Sequence, residues 1–538
     1  MTVLTLRHGA VILAMGLAFG AIAVRLATIP GGAPSTIRLA VSETRPFNTK
    51  PRPDIVDRNG QILATDVTIH WLHANPRLIL DPDDAAERLA QVLPGEDAAV
   101  LRRRLMQNTS FVWLRRDLVP RQADAVFRLG IPGLFITDER RRAYPSAETA
   151  VHVVGHTNVD NRGVSGLEFH LDRMPEKGGQ AVAGHGPVRL TLDLRVQHIL
   201  RGELAEAMTR YRAKAAAGLV MDATDGAILA MSSLPDYDPN RREKALDPSR
   251  RNRLVADAYE LGSVFKALTV AMALDAGLLS PRDEIDVATP LRIGRFSIAD
   301  KYARTQYATV EDILVRSSNT GAARIAMLAG GRRQLEFLQR LGLFDRPQTE
   351  LGTLARPIYP ELWRPVNTAT AAYGHGIAVS PLAFAAAVCA LVNGGHAVTP
   401  HVLARDGSAS LASRARVVRE ETSAAMRGML HQAVERGTGK RARIPGYAIG
   451  GKTGTAYKPG IGGYSKAVIN SFFAVVPAEA PRYLLFVMID EPQAEDGSDK
   501  DEAAYNAVPV AGRILARALP ALGLAPQLAA DHLARSHF

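Results

Sequence analysis

A single cysteine, Cys389, stands in a chain of 538 residues. No intrachain disulfide, CxxC redox pair or cysteine-based zinc site can be built from it. Aromatic residues are only 6% of the chain, and lysine supplies 11 of the 65 Lys and Arg, which leaves 65 − 11 = 54 arginines. The net charge of +11 is spread along the chain. It forms no basic stripe interleaved with aromatics, so no nucleic acid is expected as a partner. The fourteen histidines are scattered, and neither a metal ion nor an organic cofactor is implied. With 47% hydrophobic and 22% charged residues, the composition is that of a globular protein. A largely disordered chain and a multi-span membrane protein are both excluded. The length suits about three or four domain-equivalents, or one large domain with a smaller one. No internal repeat is present.

Arg7 and His8 precede sixteen uncharged residues, from Gly9 to Val24. Arg25 interrupts, and residues 26–29 continue the apolar run before Pro30. A bilayer span needs about 20 apolar residues, which the run reaches if Arg25 snorkels to the interface. A cleaved signal peptide is the competing reading, but no small-x-small cleavage site stands out before Pro30. An uncleaved anchor over residues 9–29 is therefore expected, after a short cytoplasmic N-terminus of residues 1–8. Arg7 on the short side places the remainder of the chain outside.

Residues 30–53 are rich in Pro, Gly, Ser and Thr and resemble a linker. The Asn59-Gly60 pair between short apolar runs predicts a hairpin. Helical spacing is expected over 84–106, with short strands and turns over 135–172. Glycines and prolines cluster between Lys177 and Pro187 and mark a boundary. Beyond it, a strand is expected at 188–192, a helix at 193–212 and a hairpin over 217–231. Helices follow at 263–276, 309–317, 320–329, 332–341 and 381–394, then strands at 470–476 and 483–489. Strands at both ends with helices between them predict an α+β domain.

Three polar constellations lie in this second region. In Ser263-Val264-Phe265-Lys266 the hydroxyl and the amine share one helix face. A serine nucleophile needs an adjacent base, and a lysine can serve where a dry, cation-rich site lowers its pKa. Ser317-Ser318-Asn319 follows at a helix break, where Ser and Asn also favour plain N-caps. Lys452-Thr453-Gly454-Thr455 combines a cation and hydroxyl donors with a glycine that permits close approach. That set suits a carboxylate.

The order SxxK, SxN, KTG resembles the signature of the penicillin-binding protein and serine β-lactamase superfamily. Residues 53–60, Arg141-Arg142-Ala143-Tyr144-Pro145, residues 152–155, residues 163–168 and residues 374–381 extend the likeness to class B penicillin-binding proteins. Residues 129–133 and 155–160 resemble the cell-division type. One departure is Leu261, where many relatives carry proline. The resemblance implies an α+β fold: a five-stranded antiparallel sheet flanked by helices over 188–520, a pedestal (dimerisation-type) domain over 30–187, the membrane anchor, and a tail at 521–538. No glycosyltransferase segment precedes the pedestal, and a β-lactamase would be single-domain.

The implied activity is a serine-type D-Ala-D-Ala transpeptidase, which cross-links peptidoglycan stem peptides at the septum. It implies Ser263 as nucleophile, Lys266 as base, Ser317 as proton relay and Asn319 as a donor-amide holder. Lys452, Thr453, Gly454 and Thr455 would bind the terminal carboxylate, with no metal. The implied partners are donor and acceptor stem peptides, a polytopic membrane glycosyltransferase, other division proteins, and β-lactams as inhibitors. The implied location is the inner membrane, with a periplasmic catalytic domain. An elongation-type transpeptidase, a D,D-carboxypeptidase, and a non-catalytic β-lactam sensor or division scaffold remain as alternatives. Residues 459–463, rich in glycine, are expected to form either a mobile hairpin over the cleft or a plain solvent turn.

Overall fold

The computed structural model describes residues 16–17, 19–20, 51–174, 186–300, 305–405, 414–495 and 502–527. Residues 1–48 and residues 49–538 form separate units. The anchor expected over 9–29 lies almost wholly outside the described residues, as do most of the linker and the end of the tail. Among the described residues, no helix is long and apolar enough to cross a membrane.

The second unit begins with β1 (Ile55–Val56), which turns back at Asn59-Gly60 into β2 (Ile62–Ala74). The expected hairpin is present, but its second arm runs far beyond Ala64. Thr65, Asp66, Thr68 and His70 make that extension too polar to stand out as a strand. Asp57, fully buried, organises the turn by accepting from Asn59 N and Gln61 N, both at 2.8 Å. The same carboxylate accepts from Leu194 N at 3.0 Å.

Next come α1 (Pro82–Val92), α2 (Ala98–Leu105), β3 (Val112–Leu118), α3 (Pro120–Arg128) and β4 (Leu134–Ala143). The single helix expected over 84–106 is therefore two helices. Pro94 and Gly95, the latter at φ +88°, break it, and Asp97 caps the restart by accepting from Ala99 N at 2.7 Å. β2 pairs with β3 on one side and β4 on the other, both antiparallel. The helices pack Leu89, Leu101 and Val126 against Leu72, Leu114 and Leu118 of the sheet.

Arg142 and Glu168, both buried, account for the family-like motifs around them. Arg142 donates to Glu168 at 2.6 Å, Asp66 at 3.1 Å and the Pro53 carbonyl at 2.8 Å, and Arg52 reaches the other Glu168 oxygen at 2.8 Å. Tyr144 ties this region to the next, because its N–H donates to Asn240 Oδ1 at 3.0 Å and its carbonyl accepts from Asn240 Nδ2 at 3.0 Å.

Across residues 175–185, which are not described, the chain enters β5 (Val188–Arg189), shorter than expected, which pairs parallel with β1. Helix α4 (Leu194–Arg210) precedes the hairpin β6 (Ala215–Asp222) and β7 (Ile228–Leu234). Much later come β8 (Gly450–Gly460), β9 (Gly463–Val476) and β10 (Tyr483–Asp490). These five strands form the expected antiparallel sheet, in the order β8-β9-β10-β6-β7.

Both faces of this sheet are covered. One set of side chains, including Leu219, Phe473 and Phe486, packs on the helices between the two groups of strands. The alternate set, including Val220, Phe472 and Leu485, packs on α4 and on residues 507–521. Double burial explains why Tyr483–Asp490 is an apolar run without alternation. At the other end of the β8–β9 hairpin, Ile461 and Gly462 form the connecting loop.

Candidate active site

The site forms where the edge strand β8 meets the N-terminal end of α5 (Lys266–Asp275), close to the break between α6 (Val310–Arg316) and α7 (Asn319–Ala329). Ser263 lies in a 3₁₀ turn, Gly262–Phe265, that leads into α5. Its i and i+3 side chains are eclipsed more directly than in an α-helix, so Ser263 and Lys266 share a face. Gly262 has φ +62°, and a Cβ there would stand 2.5 Å from the Thr455 carbonyl oxygen. The turn therefore rests directly on the KTG strand. Ser263 is half-buried, whereas Lys266 and Lys452 are fully buried.

Ser317 sits between the two amines. Lys266 Nζ donates to Ser317 O at 2.5 Å and to its Oγ at 3.1 Å. Lys452 Nζ donates to the same Oγ at 2.9 Å and to Thr453 O at 3.0 Å. Ser317 ends α6 in the left-handed region at φ +64°, which is uncommon for a non-glycine residue and characteristic of functional sites. Burial, reinforced by the neighbouring Lys452, holds Lys266 well below the usual lysine range, against a smaller opposing effect of Asp300. Burial lowers Lys452 to about 7. Both amines can therefore be neutral near physiological pH.

The other motif residues converge on the same place. Asn319 opens α7, and Ser318 caps it by accepting from Gly321 N at 2.9 Å. Thr453 Oγ1 lies 2.7 Å from Thr438 Oγ1. Thr455 Oγ1 accepts from Ala503 N at 3.2 Å, which leaves its own proton free to donate. A Cβ on Gly454 would stand 2.4 Å from the Leu261 carbonyl oxygen.

Several groups here carry no local sequence signal. Asp300 accepts from Asn319 N at 2.7 Å and Thr320 N at 3.2 Å, and it also bonds Ser318 Oγ. Its carboxylate thus holds the SxN turn from a loop. Glu260 accepts from Tyr464 Oη at 2.9 Å and Gly376 N at 3.1 Å, which fastens the β8–β9 hairpin beside the nucleophile turn. The hairpin is present, and its tip residue Ile461 is fully exposed. His375 packs its ring against Tyr373 and Tyr464. Burial, then Lys266, lowers its pKa. Only the fold brings these residues together.

His152 and His156 stand four residues apart, a spacing that on one helix could pair two imidazoles around a metal. The helix ends at Val154, however, and each ring takes a partner of its own. His152 Nε2 lies 2.8 Å from the Arg250 carbonyl and His156 Nδ1 lies 2.9 Å from Tyr237 Oη.

Together the site offers a half-buried hydroxyl, two buried amines of depressed basicity joined by one hydroxyl, and a strand of cation and hydroxyl donors. Because β8 is an edge strand, part of its backbone N–H and C=O set is free to meet a ligand. Such a site can open a serine-bound acyl intermediate from an extended substrate ending in a carboxylate.

Residues 216–509 match the family described as the penicillin binding protein transpeptidase domain, and residues 48–173 match the penicillin-binding protein dimerisation domain. A relative from Caulobacter vibrioides, "Probable peptidoglycan D,D-transpeptidase FtsI", is 36% identical over 88% of this chain and 82% of its own length. "Probable peptidoglycan D,D-transpeptidase PenA" of Neisseria meningitidis is 31% identical over 91% of this chain and 87% of its own. Among solved structures, penicillin-binding protein 3 of a Mycobacterium in complex with aztreonam shares the fold at a TM-score of 0.67 and 24% identity, covering 89% of this chain and 98% of the other.

Proposed function

We propose, from the premise that this chain belongs to the penicillin-binding protein transpeptidase family, that it is a peptidoglycan D,D-transpeptidase working at the division septum. The observation that carries this reading is the convergence of Lys266 and Lys452 on Ser317 Oγ, beside the Ser263 turn. Ser263 Oγ attacks the carbonyl of the penultimate D-Ala of a donor stem peptide. Its proton passes to the neutral Lys266 amine and on through Ser317 to the leaving D-Ala nitrogen. The N–H groups of Ser263 and Thr455 receive the oxyanion, where preorganised donors contribute most. Asn319 holds the donor amide, and Lys452, Thr453 and Thr455 hold its carboxylate. An amine of a neighbouring stem peptide then attacks the acyl-serine. Lys266 accepts the amine's proton and returns it to Ser263 Oγ as the ester bond breaks.

The division role rests on similarity to a relative named FtsI. We assign residues 30–187 to a pedestal, 188–520 to the catalytic domain and 9–29 to an inner-membrane anchor that faces the catalytic domain to the periplasm. The partner we assign is a polytopic membrane glycosyltransferase, which would supply the glycan strands to be cross-linked. β-Lactams, as mimics of the donor terminus, acylate the same serine. The test is peptide-mapped mass spectrometry after incubation with a penicillin. A single adduct on Ser263 is expected, and an adduct on Ser317 or Ser318 would overturn the assignment.

A further inference from the structure

Beside the sheet β3-β2-β4 lies a cavity of about 170 Å³. Its wall includes Trp71 from β2, Arg116 and Asp117 from β3, Arg140 and Arg141 from β4, Asn161 from a turn and Arg242 from a short 3₁₀ helix. Arg142 also lines it, but that charge is met by Glu168 and Asp66. Arg141 pairs with Asp117 at 2.7 Å. Arg116, Arg140 and Arg242 have no ion pair among the described residues. The Arg116 guanidinium instead lies 4.6 Å from the centre of the Trp71 ring. Glu139 is the other acid near Arg116, and burial pushes it up to about 7, so it is a weak counter-ion at neutral pH.

The hydrogen-bonding balance is as lopsided as the charge. Trp71 Nε1, Arg242 Nε, Asn161 Nδ2 and Asn161 Oδ1 are buried and have no partner among the described residues. Three of these four atoms are donors. Buried polar groups are almost always paired, so four orphans on three residues that line one cavity single this place out. A water could satisfy some N–H groups, but it would bring no charge to Arg242, which is half-buried, whereas Arg116 and Arg140 are exposed to solvent. Burial and the nearby Arg141 both oppose the charge on Arg242, outweighing the favourable influence of Tyr144 and of Asp117, which also lines the cavity, and an anion would relieve that opposition. The planar guanidinium fork matches an oxyanion with two parallel bonds.

We infer that this cavity is a binding site for one carboxylate or phosphate group, held by Trp71, Asn161, Arg116 and Arg242. It lies where the region without catalytic motifs meets the Arg242 segment of the other region, away from the three motifs, and the inference does not depend on the transpeptidase reading. The anion could be free in solution or presented as an acidic side chain, and the two sources are separable.

Trp71 lines the cavity and is one of three tryptophans, so its share of the emission is read as the part lost in Trp71→Phe. The full-length chain in detergent is titrated at constant ionic strength, with tryptophan emission as the signal. One arm uses inorganic phosphate, and the other an acetylated peptide carrying one glutamate. A saturable change is expected in at least one arm, and which arm responds identifies the source. Arg242→Gln should weaken the apparent affinity on the order of tenfold, the scale of one charge-assisted bond. Arg242→Lys should restore part of it, and Arg116→Gln provides the same test should Arg242→Gln not fold. Unchanged penicillin acylation shows that a variant is intact. Absence of saturation with both probes, or a response that survives both glutamine variants, would overturn the site.

Discussion

Lys266 and Lys452 address a single oxygen, Ser317 Oγ, from 3.1 and 2.9 Å. Two fully charged ammonium groups sharing one small acceptor in a buried site would repel strongly. The arrangement is stable when at least one amine is neutral, and burial drives both that way. Penicillin acylation should therefore increase as pH rises from 6 to 9, as the base loses its proton. A rate that stays level across that interval would contradict a lysine base that titrates within it. Lys266→Arg should be inactive, because guanidinium stays protonated.

The same depression has a stability consequence. The folded state binds fewer protons than the unfolded chain between the folded pKa of Lys452, about 7, and its ordinary value near 10.5. Stability contributed through this group therefore rises with pH across that window and is lowest below it. Lys452→Met removes the penalty together with the amine's hydrogen bonds. Its melting temperature relative to the parent chain should accordingly be more favourable at pH 6 than at pH 9. Differential scanning fluorimetry at the two pH values reads this directly, and an equal offset at both would refute it.

Gly262→Ala tests the contact between the nucleophile turn and β8. The new Cβ meets the Thr455 carbonyl at 2.5 Å in a positive-φ position. The turn must move, at a cost of about 1–3 kcal/mol from overpacking alone. Acylation should fall by about tenfold or more, because misplacing a nucleophile by an ångström is costly. Circular dichroism should be unchanged. Acylation at the parent rate would show that the contact is not needed.

Arg142→Met leaves Glu168 buried with Arg52 as its remaining charged partner. Breaking a buried pair in this way costs about 3–5 kcal/mol, so the melting temperature should drop by several degrees. Acylation per folded molecule should be unaffected, since Arg142 is not part of the catalytic site. Active-site titration of the soluble fraction separates the two quantities.

Removal of residues 1–29 should leave acylation intact and abolish rescue of division in cells depleted of the native enzyme. A tether sets the local concentration of the site at its substrate. Normal division by the truncated chain would make the anchor dispensable.

The residues of the candidate site were legible because each motif packs its polar groups into four or fewer consecutive residues. Ser263, Lys266, Ser317 and Lys452 could be named without knowing how the segments approach one another. Asp300, Glu260 and Tyr464 could not, since each acts on a segment distant in sequence and its residue type is ordinary for an exposed loop or hairpin. The five strands of the large sheet were partly visible as apolar runs, though double burial removed their alternation. The break at Pro94-Gly95 had a clear local signal, and the helical spacing on either side obscured it. The length of β2 had no such signal, because its exposed polar residues resemble a loop until β3 and β4 pair with it.

Asp57 spans the boundary between the two regions. One carboxylate closes the β1–β2 turn and accepts from the first residue of α4, while Asn240 clasps Tyr144 from the other side. Neither region can lose its structure without stripping partners from buried groups in the other. The two regions are thus thermodynamically coupled, and calorimetry of the intact chain should record one cooperative transition where two independent domains would give two.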